Sequence, residues 1–224
     1  MVCCPLYPST LAKNMTIPIE TNIAFGVPVG STQLPSEILH KLETFPSFNQ
    51  SENVNYENSS EMYNVLGYNV KLKNSITEIF TVWVNNLSGV DTQKWIMTTN
   101  WITENPDGYP MNYHRHSNCM YSAIIYFSDV AEEHPQLKLI NPLAPSLMTH
   151  LEVRKESANL FNATHYICPY EKGTMLMFPS YLMHGHEGFK SDVNRKSFAC
   201  NFFPVGKFGQ GDSTVDTNWL QHDD

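Results

Sequence analysis

Six short apolar runs with turns between them dominate the chain from about residue 92 onward. They are rich in β-branched and aromatic residues, turn sequences such as "NPDGYP" and "SDVAEEHP" separate them, and no helical pattern intervenes. Such a succession predicts antiparallel strands packed as a sandwich or jelly roll. The runs are "TQKWIMTTNWI" (92–102), "MYSAIIYF" (120–127), "LKLIN" (137–141), "HYIC" (165–168), "TMLMFP" (174–179) and "KSFACNFFP" (196–204).

The sequence ahead of these strands predicts mainly helical structure. "TNIAFGVPVG" (21–30) has the composition of a strand that stops at its glycine. "LPSEILHKLETF" (34–45) predicts a helix, with Pro35 in the first turn and the apolar residues on one face. The polar stretch 49–64 predicts a loop.

A second helix is predicted over "NSITEIFTVWVNNLSG" (74–89). Ser75 and Glu78 have the spacing of a capping box, the apolar residues recur at helical intervals, and Gly89 closes the segment. The whole pattern therefore predicts a mainly β protein with flanking helices.

The length of 224 residues suits one domain with an N-terminal extension. Residues 1–20 are predicted to form an irregular extension, and residues 21–224 are predicted to form the domain. Within the domain, residues 31–90 are the helical support, residues 91–205 are the jelly-roll core, and a polar C-terminal tail follows.

The net charge and the cysteine content indicate which classes of partner and which cellular compartment to expect. With 14 Lys and Arg against 22 Asp and Glu, the net charge is -8, and no basic run stands out. We therefore expect no nucleic acid partner, although one arginine suffices for a small anion. The N-terminus shows neither a signal peptide nor a membrane span, so a cytoplasmic protein is expected, with homo-oligomerisation left open. The cysteines form no CxxC pair and favour reduced thiols; they are Cys3, Cys4, Cys119, Cys168 and Cys200.

Two histidine pairs flank predicted strands of the core. "YHRHSN" (113–118) contains His114 and His116, and "MHGH" (183–186) repeats the spacing. Residues i and i+2 of an extended segment point to one side, so both imidazoles of a pair can face one cation. Strands that are distant in sequence lie side by side in a jelly roll, so both histidine pairs can lie at the same open end of the fold. The alternative is that they are ordinary surface histidines.

Arg195 and Ser197 lie eleven and thirteen residues after His184, inside a predicted strand. Their i, i+2 spacing places both on one face. A guanidinium with a neighbouring hydroxyl makes a good carboxylate cradle, because the fork is planar and always charged. The alternative is an exposed arginine at a strand edge.

Four sequence blocks in order across residues 114–201 resemble the Fe(II)/2-oxoglutarate-dependent oxygenases. The resemblance is to a group of small oxygenases of this superfamily with an HxH…H…RxS pattern. The blocks are "HRHSNCMYSAIIYF", "LKLINP", "GTMLMFPSYLMH" and "RKSFACN", of which "FPSYLMH" is the most specific. The resemblance implies a double-stranded β-helix (jelly-roll, cupin-like) core.

The resemblance also implies a metal site. His114 and His184 would be the histidine ligands of Fe(II), and His116 occupies the place where most of the superfamily has an aspartate or glutamate. Two interpretations stay open: all three histidines bind the metal, or His116 lies behind the ligands and the metal is held by two histidines with water or a distant acid such as Glu187. His186 is expected behind the ligands or at the surface.

The co-substrate residues are implied in the same way. Arg195 would pair with the distal carboxylate of 2-oxoglutarate, and Ser197 would lie beside it. Tyr126 and Ser122, on the strand after the first histidine pair, are expected to line the same pocket. Asn201 matches a family position to which no role is given. The loop 101–113 is expected at the pocket mouth.

The implied activity is a dioxygenase reaction that uses Fe(II), 2-oxoglutarate and O2. Such an enzyme would hydroxylate an unidentified small-molecule or peptidyl substrate and release succinate and CO2. Two other hypotheses are a cupin-type three-histidine dioxygenase without 2-oxoglutarate and a non-catalytic metal-binding jelly-roll module. The former would leave Arg195 and Ser197 without a ligand.

Overall fold

Two antiparallel sheets and two helices form the described part of the protein. The computed structural model describes residues 26–45, 50–52, 58–60, 63–88, 94–105, 108–143 and 163–221. The α-helices are α1 (Ser36–Glu43) and α2 (Val70–Ser88), and short 3-10 helices cover Gly211–Ser213 and Asn218–Gln221. The strands are β1 (Gly30–Gln33), β2 (Gln50–Glu52), β3 (Asn58–Ser60), β4 (Lys94–Asn105), β5 (Met111–His114), β6 (Tyr121–Tyr126), β7 (Lys138–Ile140), β8 (His165–Ile167), β9 (Thr174–Pro179), β10 (His184–His186), β11 (Arg195–Val205), β12 (Lys207–Phe208) and β13 (Val215–Asp216).

The sheet order places strands that are distant in sequence side by side. The larger sheet has the order β1-β9-β6-β11-β4-β3-β2, and the smaller sheet has the order β5-β10-β7-β8. The ladders within both sheets are antiparallel. This arrangement confirms the predicted fold class, a mainly β protein with flanking helices and a jelly-roll core.

Alternation along the central strands separates two apolar cores. On β6, Ile125 faces the helices and Ile124 faces the smaller sheet. On the helix side, the Phe80 ring of α2 stacks on Phe202 of β11 with centroids 3.9 Å apart. Burying a side chain of this size stabilises the fold by about 1.5–3 kcal/mol. The helices therefore cover one face of the larger sheet and leave its other face to the space between the sheets.

All six strands predicted in the core are confirmed, as β4, β6, β7, β8, β9 and β11. The structure adds β5 and β10, which are only four and three residues long. The sequence placed His114 before one strand and His184 after another, whereas both residues lie within these added strands. Such short segments, rich in histidine, glycine and asparagine, carry little of the pattern that identifies a strand.

Two predictions for the N-terminal part are wrong in detail. The strand predicted over 21–30 begins only at Gly30 within the described residues, because Pro28 lacks the N–H that a ladder needs. Its neighbours Val27 and Val29 pack against the core between the sheets. The loop predicted over 49–64 contains the hairpin β2–β3, whose backbone groups extend the larger sheet despite their polar side chains.

The two predicted helices are present, but α2 begins four residues early. The capping box at Ser75 and Glu78 is wrong, because Ser75 lies inside the helix and its Oγ donates to the Lys71 carbonyl (3.0 Å). Asn69 caps α2 instead, since its Oδ1 accepts a hydrogen bond from the Leu72 N–H (3.2 Å). Propensity alone misses this start because two lysines interrupt the apolar pattern.

Several predicted features lie outside the described residues. They are the extension 1–20 with Cys3 and Cys4, the closing residue Gly89, and residues 106 and 107 of the loop 101–113. The beginning of the polar tail is ordered: β12 and β13 pair, and the buried Thr217 donates to the Pro204 carbonyl (3.0 Å). Neither helix of the described chain has the length and apolar character needed to span a membrane.

Candidate functional site

The pairing of β5 with β10 brings the two histidine segments together. His114 lies directly opposite His184 in the ladder. Gly185 permits the close approach of the strands, because a Cβ at this position would lie 2.7 Å from the Met111 carbonyl oxygen. The chain then leaves β5 and turns, and the His116 N–H donates to the Ser180 carbonyl (3.0 Å).

His114, His116 and His184 form a cluster in which one ring nitrogen of each lies within 4.8 Å of the others. The Nε2 atoms of His114 and His116 are 3.2 Å apart. On the opposite side of each ring, Nδ1 of His114 bonds the Asn112 carbonyl (2.8 Å), and Nδ1 of His184 bonds the Leu182 carbonyl (2.9 Å). A carbonyl only accepts, so both Nδ1 atoms carry the proton and both Nε2 atoms keep a lone pair.

Nδ1 of His116 is held by side chains rather than by the backbone. It lies 2.8 Å from Oδ1 of Asn201 and 3.0 Å from Oγ of Ser122. The Ser122 hydroxyl is also 2.8 Å from the Ser180 hydroxyl, and the Asn201 amide donates to Thr99 Oγ1 (2.9 Å). With the carboxamide oxygen as its acceptor, Nδ1 of His116 carries the proton as well.

Burial keeps two of these rings neutral. It lowers the pKa of His184 to about 3, with further lowering from the neighbouring His114 and His116 rings. Burial also lowers the pKa of His116, and the hydrogen bond to Asn201 opposes this effect. Neutral imidazoles with lone pairs directed at one point are the donors that iron, zinc, copper and nickel accept.

A cavity of about 320 Å³ opens from the cluster into the space between the sheets. Alternate residues of β4 and β11 point into it, as the period of a strand requires. The wall away from the histidines contains Arg195 and Ser197 of β11. The lining residues are Tyr63, Thr99, Trp101, Thr103, Met111, His114, His116, Ser117, Ile124, His184, Arg195, Ser197, Ala199 and Asn201.

Arg195 is deeply buried, with 2% of its surface exposed. Its guanidinium carbon lies 5.5 Å from the ring centroid of Tyr126 and 5.6 Å from that of Tyr170. The Tyr170 hydroxyl is in turn 2.8 Å from Nδ1 of His134. Cation–π contacts of this kind fix the direction of a guanidinium. Here the Tyr170 ring is itself held by its hydrogen bond with His134.

The structure places the predicted site residues in three groups. His114, His116 and His184 converge, and Arg195 and Ser197 line the same cavity. Ser122 and Tyr126 do not line it, contrary to expectation: Ser122 lies behind the His116 ring, and Tyr126 lies against Arg195. Both belong to the inner face of β6, but their side chains end in contacts with other site residues.

Two further residues of the second histidine segment lie apart from the cluster. His186 is buried, and its Nδ1 contacts the Glu187 carbonyl (2.9 Å). Glu187, the acid considered as an alternative ligand, is exposed and bonds Lys138 (3.0 Å). Neither belongs to the metal-compatible group found among the described residues.

The sequence did not single out most of the cavity wall. Thr99, Trp101 and Thr103 share the inner face of β4, and alternation along this strand would have identified them once its inward face was known. Tyr63 comes from the segment predicted as a loop, and no sequence signal places it at a cavity.

Comparisons with known proteins agree with this geometry. Residues 99–201 match the family model described as "Putative 2OG-Fe(II) oxygenase", which confirms the resemblance predicted from the motifs. This segment contains every residue of the histidine cluster together with Arg195 and Ser197. In a search of curated proteins, nothing matches the chain significantly.

Several solved structures share the fold. The α-ketoglutarate-dependent epimerase SnoN from nogalamycin biosynthesis is 9% identical with a TM-score of 0.57, and the match covers 85% of this chain and 88% of SnoN. A Pseudomonas putida prolyl-4-hydroxylase is 10% identical with a TM-score of 0.50, covering 79% of this chain and 92% of that one. HygX from Streptomyces hygroscopicus, with nickel and 2-oxoglutarate bound, is 12% identical with a TM-score of 0.50, covering 79% and 82%. At these identities the likeness shows the fold alone.

Proposed function

We infer, from the match of residues 99–201 to the 2OG-Fe(II) oxygenase family model, that this protein is an oxidoreductase of that family, and we propose that it hydroxylates its substrate. The family uses Fe(II), 2-oxoglutarate and O2. In the proposed reaction, 2-oxoglutarate is converted to succinate and CO2. The observation that carries the proposal is that a three-histidine cluster and a buried arginine line one cavity.

The histidine cluster fits a divalent metal ion. We propose that His114, His116 and His184 hold Fe(II) through their Nε2 atoms. Two nitrogens 3.2 Å apart can both lie at a bonding distance of ~2.1 Å from one ion, with an angle between them of roughly 100°. The hydrogen bonds at Nδ1 hold the three rings in this direction.

Arg195 and Ser197 fit the distal carboxylate of 2-oxoglutarate. The guanidinium is always charged and presents parallel N–H groups, and the serine hydroxyl two residues along the strand adds a donor. Tyr126 and Tyr170 hold the guanidinium in place. That HygX binds 2-oxoglutarate on the same fold supports the assignment.

The protein's own contribution is to place the metal, the co-substrate and the substrate. When bound together, Fe(II), 2-oxoglutarate and O2 supply the oxidising power, so the chain needs no acid–base or nucleophilic group for the chemistry. The neutral polar and aromatic residues of the cavity wall, which include Thr99, Trp101 and Thr103, are left to orient the substrate. We propose that Ser122 acts through His116, and Tyr126 through Arg195.

A three-histidine set differs in charge from the usual two histidines and one carboxylate. Replacing a carboxylate by His116 removes one negative charge beside the ion, so the site should hold Fe(II) less tightly than a carboxylate-containing site. The solved structures with this fold include an epimerase and a hydroxylase, so the fold leaves the outcome of the reaction open. The hydroxylation proposed here is therefore tested by its products.

The proposal is tested with Fe(II)-loaded protein under anaerobic conditions. We expect 2-oxoglutarate to produce a visible metal-to-ligand absorption band, and subsequent exposure to O2 to yield succinate. Arg195→Ala should weaken 2-oxoglutarate binding by about 100-fold, in keeping with the ~2–5 kcal/mol lost when one partner of a buried charge pair is removed, while metal affinity is retained.

Lys196 provides the matched control for Arg195. It lies on the same strand with its side chain on the other face, where Nζ bonds Glu104 (3.0 Å). Lys196→Ala should leave 2-oxoglutarate binding unchanged. Equal loss of metal and 2-oxoglutarate affinity in Arg195→Ala would contradict the role of Arg195, and loaded wild-type protein that neither binds 2-oxoglutarate nor forms succinate would contradict the proposed function.

A further inference from the structure

We propose that Asn201 is a positioning residue that keeps the proton of His116 on Nδ1 and thereby leaves Nε2 available to the metal. This inference rests on the proposed function, because it concerns a ligand of the proposed Fe(II) site. The observations that carry it are the hydrogen bonds of Asn201 with His116 and with Thr99.

Asn201 lies where three strands meet. It pairs with Ser122 across the β11–β6 ladder and with Thr99 across the β11–β4 ladder. The register of the β11–β4 ladder shifts between Asn201 and Phe202, and such a bulge redirects a side chain. The carboxamide is thus placed behind the His116 ring, with the Ser122 and Thr99 side chains on either side.

The carboxamide of Asn201 presents its oxygen to His116 and its amide group to Thr99. Nδ2 donates to Thr99 Oγ1 (2.9 Å), and Oδ1 lies 2.8 Å from His116 Nδ1 and accepts from Ser122 Oγ (2.8 Å). In the flipped orientation an NH2 group would meet Nδ1. Nδ1 would then have to accept, the ring proton would move to Nε2, and the lone pair needed by a metal would be lost.

His116 is the one member of the cluster that depends on a side chain in this way. Backbone carbonyls orient His114 and His184, and no substitution removes a backbone carbonyl. The oxygen of Asn201 is an acceptor 2.8 Å from Nδ1 of His116, and an imidazole N–H is the donor that it needs. The ring and its partner are therefore matched to each other.

The experiment compares Asn201→Leu, which has no acceptor, with Asn201→Asp, which has only acceptors. The first readout is the 15N chemical shift of each His116 ring nitrogen in the metal-free protein, which reports where the proton lies. The second is the dissociation constant for Co(II) without 2-oxoglutarate. Thermal unfolding of the metal-free variants serves as the control for folding.

In wild type and Asn201→Asp we expect a protonated Nδ1 and a bare Nε2, with Co(II) affinity in the variant at least equal to wild type. In Asn201→Leu we expect a substantial population with the proton on Nε2 and Co(II) binding weakened by about 10- to 100-fold, the range typical for groups behind metal ligands.

The inference is overturned if Asn201→Leu keeps the wild-type ring shifts or the wild-type Co(II) affinity. It is also overturned if Asn201→Asp moves the proton to Nε2, a test that stands even if the leucine variant does not fold. These results leave the proposed function in place, because succinate formation is measured separately. Wild-type protein that binds no divalent metal would overturn both.

Discussion

The direction of each candidate ligand ring is set by the hydrogen bond on the side of the ring away from the cavity. For His114 and His184, this acceptor belongs to a residue two positions earlier in the same chain segment. An i–2 carbonyl is available wherever the segment takes this local conformation, so the rings are oriented by the strands that carry them. The site is consequently preorganised by backbone geometry.

The two histidines of β10 allow a matched test of ligand identity. His184→Ala should weaken binding of Co(II) or Fe(II) by at least about 100-fold, about 2.8 kcal/mol, because it removes one of three donors, and even partners behind ligands contribute 10- to 100-fold. His186→Ala should retain wild-type metal affinity. Isothermal titration calorimetry under anaerobic conditions measures both.

Both substitutions remove a buried ring from one three-residue strand, so a similar loss of stability is expected for each. Stability therefore does not explain a difference in metal affinity. If His186→Ala lost the metal as severely as His184→Ala, the three-histidine assignment would be wrong.

At the residue level, spacing in the sequence predicted which groups share a face but not what they touch. The i, i+2 rule placed Arg195 with Ser197 correctly on the inner face of β11. The resemblance, by contrast, implied that Tyr126 and Ser122 line the pocket, whereas Tyr126 lies against Arg195 and Ser122 lies behind His116. Whether an inward residue reaches the cavity depends on the size and bonding of its neighbours, which belong to other strands.

At the level of elements, α2 shows how a local signal can mislead. A serine and a glutamate three residues apart predicted a capping box at Ser75 and Glu78 for a helix over 74–89, yet the helix begins at Val70 with Asn69 as its cap. Tertiary contacts decide the matter, because Leu72 is buried in the helix-side core and draws the first turn into the helix.

This difference between predicted and observed caps can be measured. Asn69→Ala should lower the free energy of unfolding by about 1 kcal/mol, within a range of about 0.5–2 kcal/mol, since it removes the acceptor for an N–H of the first turn. Ser75→Ala should change it by less than about 0.5 kcal/mol, because alanine is a good residue in a helix interior. Urea denaturation of the two variants gives both values.

If Ser75→Ala lowered the free energy of unfolding more than Asn69→Ala, the predicted capping box at Ser75 would be correct and the observed helix start would be wrong. The comparison is well matched, because both substitutions remove a small polar side chain that bonds the backbone of the same helix.

At the level of the whole molecule, few signals in the sequence indicate the order of the strands in the sheets. The position of the site nevertheless depends on that order. Jelly-roll topology brings β5 next to β10 and β11 between β4 and β6, and so joins residues that are about eighty positions apart in the chain. Alternation and turns in the sequence predicted the strands. The pairing of strands, and hence the cavity between the sheets, could only be expected from the fold class.

Because the proposed site joins both sheets, its ligands should stabilise the entire fold. A ligand at 100 times its dissociation constant adds about 2.7 kcal/mol to the free energy of unfolding when it binds only the native state. For a chain of this size, each kcal/mol raises Tm by about 2–4 °C, so Co(II) alone should raise it by roughly 5–11 °C. Anaerobic differential scanning fluorimetry measures this shift, and a chelator should reverse it.

2-Oxoglutarate should add a further shift of similar size only when the metal is present, because the two ligands are proposed to share one cavity and one ion. Arg195→Ala separates the two contributions: it should keep the Co(II) shift and lose the additional 2-oxoglutarate shift. If 2-oxoglutarate stabilised metal-free protein as strongly as metal-loaded protein, the co-substrate would be binding independently of the histidine cluster. The joint site between the sheets would then be wrong even though each ligand binds.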